Sequence, residues 1–262
     1  MLKLVATDLD GTLLHTDGTV TDRTRAALTA VEDLGVTVVF VTGRPIRWMA
    51  ELWQHVGDHG LAVCSNGGIV YDVPARAVRS ARPIPMDVDL RVACLLREAI
   101  PGTSFALEKA TGFCKEPSFM EHHPLPPDVE VGPLDSVFDD ATVKLLARHE
   151  ELDPEVFRTE VEGLVGHLVT TTSSSTDALV EISAADVTKA STLALLCDEL
   201  MIAPEEVVAF GDMPNDLAML AWAGTSYAMA NAHPSVTALA QRQAPSNEDD
   251  NVAAVLEELF GL

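Results

Sequence analysis

The chain has 262 residues, 47% of them hydrophobic, and its 17 Lys and Arg against 40 Asp and Glu give a formal net charge of −23. This length and hydrophobic content allow a substantial core, in one large domain or two modest ones. Because nucleic acids and anionic membranes carry charge of the same sign, the composition argues against both as partners, and an anionic ligand requires a local positive group.

The first part of the chain alternates between predicted strands and helices. The strand LKLVAT is followed by DLDGT and then by LLHTDGTV, in which Asp17 and Gly18 predict the tip of a short hairpin. A helix is predicted over RTRAALTAVEDL, capped by Thr21 or Asp22, and it is followed by the strand VTVVFV, the helix PIRWMAELWQHV and the strand LAVCSNGG. Uninterrupted apolar strands joined by helices indicate parallel strands covered on both faces, the beginning of a doubly wound sheet.

The pattern changes from about residue 82. The predicted elements there are the helix VDLRVACLLREAI, the strands SFALEK and GFCKEP, the proline-rich HHPLPPD, the strand ATVKLLARH, the helix PEVFRTEVEGL and the strands HLVTTTSSS and DALVEIS. This mixture is typical of an α+β domain. After the helix DVTKASTLALLCDEL the α/β pattern resumes with VVAFGD, NDLAMLAWAG, TSYAMA and the final helix VAAVLEELF.

We therefore predict an α/β protein with two domains. A doubly wound, mainly parallel, Rossmann-like sheet forms the core from residues 1–81 and 185–262, and an α+β domain is inserted at residues 82–184. The cysteines are Cys64, Cys94, Cys114 and Cys197, and their irregular spacing favours reduced thiols over a disulfide or zinc framework. With no room for a secretory signal before the first strand and no membrane-spanning apolar run, we expect a cytoplasmic monomer or small homo-oligomer.

Reactive side chains follow the predicted core strands or begin the helices beside them. They are Asp8 and Asp10, then Thr42 and Gly43, then Lys189, and last Asp212, Asn215 and Asp216. Ligands of doubly wound sheets bind outside the carboxyl ends of the strands, where these groups would meet. Along an extended chain Asp8 and Asp10 would share a face and repel each other.

A divalent cation would offset that repulsion. Converging carboxylates make an oxygen-rich site that suits Mg²⁺, and Lys189 adds a positive charge for an incoming phosphate group. The Thr42 hydroxyl and the backbone N–H groups around Gly43 can donate to phosphoryl oxygens. Together these groups favour phosphoryl transfer through an aspartyl-phosphate.

Four segments in this order, DLDGT, VTGR, the isolated Lys189 and GDMPND, resemble the motifs of the haloacid dehalogenase superfamily of phosphatases. SNGG, GDMPNDLAML, YAMANA and SNEDDNVAAVLEEL are similar to its Cof-type branch, and the inserted domain stands where that branch carries its cap. The chain departs from the usual pattern at Ala190 and Asn251, where glycine is common. Neither change removes a reactive group.

The resemblance implies a role for each reactive side chain. Asp8 would be the nucleophile and a Mg²⁺ ligand, and Asp10 would be the general acid and base and a metal ligand through its backbone carbonyl. The phosphate group would be bound by Thr42, Gly43, Lys189 and Asn215. Asp212 would be a metal ligand, and Asp216 would either bind the metal or support the residues that do. The implied protein is a Mg²⁺-dependent phosphatase for a small phosphorylated metabolite, either a sugar phosphate or a phosphorylated cofactor.

Other interpretations stay open. A phosphomutase or phosphotransferase would use the same groups and pass the phosphoryl group to a hydroxyl. A receiver-type signalling module also uses Asp, Mg²⁺, Thr and Lys, but it needs no acid two residues after the nucleophile. A calcium-binding loop is excluded, because Leu13 stands at its glycine position and Thr19 at its final glutamate position. Arg44 either steers anionic substrates or is a solvated charge, and Lys144, Arg148 and Glu181 are candidate substrate contacts in the inserted domain.

Overall fold

The computed structural model describes residues 1–50, 52–53, 60–125, 129–173 and 177–262. Two compact units are present, Met1–Ser80 with Thr188–Leu262 as the first and Ala81–Val187 as the second. Residues 51 and 54–56 of the predicted helix PIRWMAELWQHV, and parts of the predicted proline-rich and serine-rich segments, lie outside the described residues. The first turn of that helix, Ile46–Trp48, is a 3₁₀-helix.

The strands are numbered in chain order. They are β1 (Leu4–Thr7), β2 (Thr37–Val41), β3 (Leu61–Cys64), β4 (Ile69–Asp72), β5 (Ala77–Ala81), β6 (Ser104–Lys109), β7 (Gly112–Lys115), β8 (Glu130–Val131), β9 (Thr142–Arg148), β10 (Val169–Thr172), β11 (Leu179–Ala184), β12 (Val207–Gly211), β13 (Thr225–Met229) and β14 (Arg242–Ala244).

The α-helices of the described residues are numbered in the same way. They are α1 (Asp22–Asp33), α2 (Met86–Ala99), α3 (Leu134–Val137), α4 (Pro154–Val165), α5 (Lys189–Leu200), α6 (Leu217–Trp222), α7 (Pro234–Leu239) and α8 (Asn251–Phe260). Among these helices, none is long and apolar enough to cross a lipid bilayer.

The first unit contains one sheet with the strand order β14-β13-β12-β1-β2-β3-β4-β5. From β14 to β3 the neighbours are parallel, and β4 runs antiparallel to β3. Leu4 and Val39 belong to one core cluster with Leu193 of α5, whereas Val5 and Val38, which alternate with them, are fully buried outside that cluster. Burial on both faces explains the uninterrupted apolar strands. The predicted α/β fold class is confirmed.

The second unit contains a separate sheet with the order β10-β11-β9-β6-β7-β8. Its strands are antiparallel except for the pair β7 and β8. Phe105 and Leu145 of the sheet share a core cluster with Val92 of α2 and Phe157 of α4. Side chains alternate along a strand, so this cluster covers one face of the sheet.

The opposite face of the second sheet carries the three candidates from the inserted segment. Lys144 Nζ lies 2.8 Å from Glu181 Oε1, and both side chains are buried. Arg148 is also buried, and its Nη1 lies 2.9 Å from His122 Nδ1. The same face also carries a small apolar cluster of Ala106, Phe113, Phe119 and Leu146, so Lys144 and Arg148 alternate with the core residues Leu145 and Ala147 while Leu146 between them is apolar.

Some local predictions differ from the structure. The segment after β1 forms a turn rather than a hairpin of two strands: the His15 N–H donates to Thr19 O, and one isolated bridge pairs Asp10 with Leu14. The predicted strand LAVCSNGG ends at Cys64, because Ser65 and Asn66 adopt left-handed φ angles of 53° and 55°. The elements β4, β5, β8, β14, α3 and α7 were not predicted. They are short, and β5 is exposed along its length, so they carry little periodic signal.

A buried acid in α2 makes the stability of the fold depend on pH. Asp89 is fully buried, and neither carboxylate oxygen has a hydrogen-bond partner among the described residues. Burial raises its pKa from 3.8 to about 7. Because the pKa is higher in the folded than in the unfolded chain, stability is lost as pH rises from 3.8 to about 7.

We expect Asp89→Asn to remove most of this pH dependence, because the amide does not ionise. A shift of this size corresponds to roughly 4 kcal/mol between acidic and mildly alkaline pH. Urea unfolding at about pH 4 and about pH 8 measures the difference, with Asp87→Asn, an exposed acid of the same helix, as the matched control. Equal pH dependence in the Asp89→Asn variant and the unmodified chain would contradict the prediction.

Candidate active site

Three buried aspartates meet at the carboxyl end of the first sheet. Asp8 follows β1 and Asp212 follows the neighbouring parallel strand β12, and the Asp8 N–H donates to Phe210 O at 3.0 Å. Asp216 lies in the short 3₁₀-turn after Asp212. One carboxylate oxygen from each of the three lies within 4.8 Å of the others. The parallel pairing of β1 and β12 therefore brings together acids that are about 200 residues apart in the chain.

Lys189 lies among these carboxylates. It is the first residue of α5, its side chain is 1% exposed, and its Nζ lies 2.7 Å from Asp8 Oδ1 and 2.7 Å from Asp216 Oδ1. Burial alone would lower the Lys189 pKa, but the charges of Asp216 and Asp8 outweigh it and hold the pKa above its ordinary value. The amine is therefore charged.

The aspartates themselves are costly to ionise. Burial raises the pKa of Asp8 well above 3.8, and the charges of Asp216 and Asp212 add to this, while Lys189 opposes it. Burial likewise raises the pKa of Asp212 to about 6. One lysine therefore offsets only part of the repulsion within the group.

Hydrogen bonds from the loops after β1 and β12 hold the carboxylates of Asp212 and Asp216 in place. Asp216 Oδ2 accepts the backbone N–H groups of Asp212 and Met213, both at 3.1 Å. Thr12 Oγ1 donates to Asp212 Oδ1 at 2.8 Å. Gly11 has φ +73°, and a Cβ at that position would overlap Asp212 Oδ2, so the close approach of the two loops requires glycine.

The donor set fits a divalent cation. Asp8, Asp212 and Asp216 supply only oxygen atoms, which is the ligand type that Mg²⁺ prefers. Both oxygens of Asp216 already accept hydrogen bonds, from Lys189 on one side and from the backbone on the other. Asp8 and Asp212 therefore have the greater capacity to bind a metal, and a cation would also lower the cost of ionising them.

Asp10 is not one of the three clustered carboxylates. Its side chain is 58% exposed, Arg44 Nε donates to its Oδ2 at 2.8 Å, and Arg44 Nη2 contacts its Oδ1. The bond to Asp10 raises the Arg44 pKa. The expectation that Asp8 and Asp10 share a strand face assumed an extended chain, but β1 ends at Thr7 and Gly11 has a left-handed φ. Arg44 is thus an ion-pair partner of Asp10 rather than a solvated charge.

Thr42 and Gly43 lie beside the loop that contains Asn66, a residue that the sequence analysis did not identify as part of the site. The Thr42 hydroxyl is buried and accepts the Arg44 N–H at 3.0 Å, and Thr42 O accepts the Asn66 N–H at 3.0 Å. Asn66 Oδ1 accepts from Asn215 Nδ2 at 3.3 Å, and it would lie 3.1 Å from a Cβ at Gly43. Asn66 therefore lies beside Thr42, Gly43 and Asn215, which are the predicted phosphate-binding residues other than Lys189.

Two atoms of this region have no hydrogen-bond partner among the described residues. They are Ser65 Oγ and Asn215 Oδ1, and both are buried. Buried polar atoms without a partner are rare in folded proteins and are found where a ligand or water binds. The motif SNGG was visible in the sequence, but the role of Asn66 depends on its left-handed φ of 55°, which nothing in the sequence specified.

Comparison with known proteins identifies similar chains along the whole length. The haloacid dehalogenase-like hydrolase family matches residues 5–256. The chain is 28% identical over 270 residues to a Bacillus subtilis 5-amino-6-(5-phospho-D-ribitylamino)uracil phosphatase, covering 99% of this chain and 98% of that protein. It is 30% identical over 266 residues to an Escherichia coli pyridoxal phosphate phosphatase, covering 96% of each.

The fold is also similar to solved structures. A Streptococcus mutans protein, SMU.1108c, superposes with a TM-score of 0.86 at 22% identity, and the match covers 100% of both chains. The aspartates and the lysine described above all lie inside the region that the family matches.

Proposed function

Because this chain belongs to the haloacid dehalogenase-like hydrolase family, we propose that it is a Mg²⁺-dependent phosphatase that hydrolyses a small phosphorylated metabolite through an aspartyl-phosphate on Asp8. The resemblance seen in the four motifs is confirmed by the family match, and the protein is an enzyme. The observation that carries the proposal is the contact of 2.7 Å between Lys189 Nζ and Asp8 Oδ1, within a buried group that includes Asp212.

The reaction has two steps on the protein. Lys189 holds Asp8 Oδ1, and we assign the other oxygen, Oδ2, as the atom that attacks phosphorus. The bond from phosphorus to the substrate oxygen breaks, and Asp10 gives that oxygen a proton. Water then attacks the phosphorus of the aspartyl-phosphate, Asp10 takes the proton of the water, and inorganic phosphate leaves with Asp8 restored.

The metal would be held by Asp8, Asp212 and the backbone carbonyl of Asp10, with Asp216 as a further ligand or as the support for Lys189 and the loop. When bound, Mg²⁺ supplies positive charge that offsets the carboxylates and the phosphoryl oxygens. Thr42, Gly43, Lys189 and Asn215 bind the phosphoryl group in this proposal.

Arg44 controls the availability of Asp10. Its guanidinium contacts both carboxylate oxygens, so Asp10 can exchange a proton with the substrate only after at least one of these contacts is released. We propose that the substrate phosphate competes for Arg44 as it binds, and that the freed Asp10 carboxylate takes up a proton from solvent, which it then gives to the leaving oxygen. The proton that Asp10 gains from the attacking water returns to solvent when the ion pair with Arg44 forms again. This gives the ion pair a part in the reaction cycle.

We propose a small phosphorylated cofactor or sugar phosphate as the substrate class. The two named relatives act on pyridoxal phosphate and on 5-amino-6-(5-phospho-D-ribitylamino)uracil, both small phosphorylated molecules. Residues 1–81 and 185–262 would be the catalytic core and residues 82–184 the cap domain. The cytoplasmic location and the oligomeric state stay predictions.

A panel of phosphorylated metabolites, assayed for free phosphate with Mg²⁺ and with a chelator, tests the function. We expect phosphate release from at least one member with Mg²⁺ and none with the chelator. An isomer or a new phosphate ester without free phosphate would favour the mutase or phosphotransferase. An acyl phosphate that persists without turnover would favour the signalling module.

A further inference from the structure

Three asparagine side chains from the C-terminal part of the chain hold the loop that follows Asp10. Each donates from Nδ2 to a different backbone carbonyl of that loop. The pairs are Asn231 with Gly11 O at 2.8 Å, Asn251 with Thr12 O at 3.0 Å, and Asn247 with Leu14 O at 2.9 Å. We call these three residues the asparagine clamp.

The clamp is connected internally. Asn231 Oδ1 accepts the backbone N–H of Asn247 at 3.1 Å, so both ends of the Asn231 amide are used. Asn247 and Asn251 are buried, whereas Asn231 is exposed. The bonds to Thr12 O and Leu14 O are buried, and a buried carbonyl without a donor costs free energy, so Asn251 and Asn247 favour the present path of the loop. The bond from Asn231 to Gly11 O is exposed and adds a smaller preference for the same path.

The hydrogen bonds within the loop and the hydrogen bonds from the clamp use different backbone atoms. The N–H groups of Thr12 and Leu14 both donate to Leu9 O, at 3.2 Å and 2.8 Å. These bonds form a tight turn, and the clamp satisfies three carbonyls that the turn leaves for other donors. Two sets of hydrogen bonds, one internal and one from the clamp, therefore determine the backbone after Asp10.

This backbone carries two parts of the proposed site. Gly11 follows Asp10 directly, so the orientation of the Gly11 peptide influences where the Asp10 carbonyl and side chain lie. Thr12 also donates its hydroxyl to Asp212 Oδ1 at 2.8 Å. A shift of the loop would move both the proposed acid and the support of a proposed metal ligand.

We propose that the asparagine clamp positions Asp10 and Thr12 for the reaction without touching the substrate. The proposal rests on the proposed phosphatase function for its kinetic consequence. Its structural consequence, a more mobile loop when the clamp is broken, does not depend on that function. Asn251 is the most deeply buried member of the clamp, and its Nδ2 donates to Thr12 O.

Asn231 gives the sharpest test, because it is exposed and its substitution leaves the core intact. Asn231→Asp keeps an oxygen for the Asn247 N–H but places a second oxygen against Gly11 O, while Asn231→Ala removes the donor without adding charge. Gln243→Glu is the control, since it makes the same amide-to-carboxylate change on an exposed residue of β14. Thermal unfolding confirms that all three variants are folded.

Two readouts separate this proposal from the proposed function. Hydrogen exchange should be faster at the Thr12 and Leu14 amides in both Asn231 variants than in Gln243→Glu. With p-nitrophenyl phosphate and Mg²⁺, kcat should fall by about 10- to 100-fold while KM stays unchanged, because Lys189 and Thr42 are not moved.

Failure of the unmodified chain to release phosphate from any substrate would overturn the proposed function alone, and the hydrogen-exchange result would still stand. Unchanged loop exchange, or a kcat equal to that of Gln243→Glu in an active enzyme, would overturn the clamp.

Discussion

We expect Asp8→Asn to lower kcat for phosphate release by at least about a thousand-fold. The amide is not a nucleophile towards phosphorus, so the aspartyl-phosphate cannot form. Asparagine has nearly the shape of aspartate, and its Oδ1 can still accept from Lys189, which lies 2.7 Å from Asp8 Oδ1. Turnover of the best substrate found in the panel, measured with Mg²⁺ as release of free phosphate, gives the result.

The same substitution should leave the fold intact. Burial raises the pKa of Asp8, which means that its ionised form is unfavourable in the folded chain, and asparagine removes that charge. Asp87→Asn, an exposed acid of α2, is the matched control and should keep full activity. Substantial Mg²⁺-dependent turnover by a folded Asp8→Asn variant would exclude Asp8 as the nucleophile.

The positions of the reactive groups in the sheet followed from sequence reasoning. β1, β2 and β12 are parallel neighbours, and parallel strands present their carboxyl ends at one edge. Apolar runs identified these strands, and the order of the motifs then identified which residues would meet. Lys189 carried no local signal, and it was identified only by its place between the aspartate motifs.

The contacts of individual side chains could not be predicted in this way. The pairing of Asp10 with Arg44 depends on the residue at which β1 ends, and a difference of one residue changes the direction of each side chain. The position of the Asn66 side chain depends on its left-handed φ, and Asn251 donates to Thr12 O although the two residues are 239 positions apart in the sequence. Such contacts depend on tertiary packing, which residue patterns do not encode locally.

We expect the second large effect from Lys189→Met, which removes the positive charge between Asp8 and Asp216. A buried ion pair that loses one partner leaves an uncompensated charge, so the free energy of unfolding should fall by about 3–5 kcal/mol near pH 8 without metal. Turnover should also be lost, because the amine no longer holds Asp8 Oδ1 or the phosphoryl group. Urea unfolding with and without Mg²⁺ measures the first effect. The control is Lys3→Met, an exposed lysine paired with Glu206, and its stability should change little because exposed ion pairs contribute little.

The loss of stability in Lys189→Met should depend on pH and on Mg²⁺. Burial raises the pKa of Asp8, and that of Asp212 to about 6, and both pKa values should rise further without Lys189. Since the folded pKa values lie above the unfolded ones, the destabilisation grows as pH rises through about 6 and is smallest in acid, where the carboxyls are protonated. Mg²⁺ should restore more stability to Lys189→Met than to Lys3→Met, because it supplies the missing positive charge to the same oxygens. If the two variants were equally stable near pH 8 without metal, the carboxylates would not depend on Lys189, and the electrostatic basis proposed for the site would be wrong.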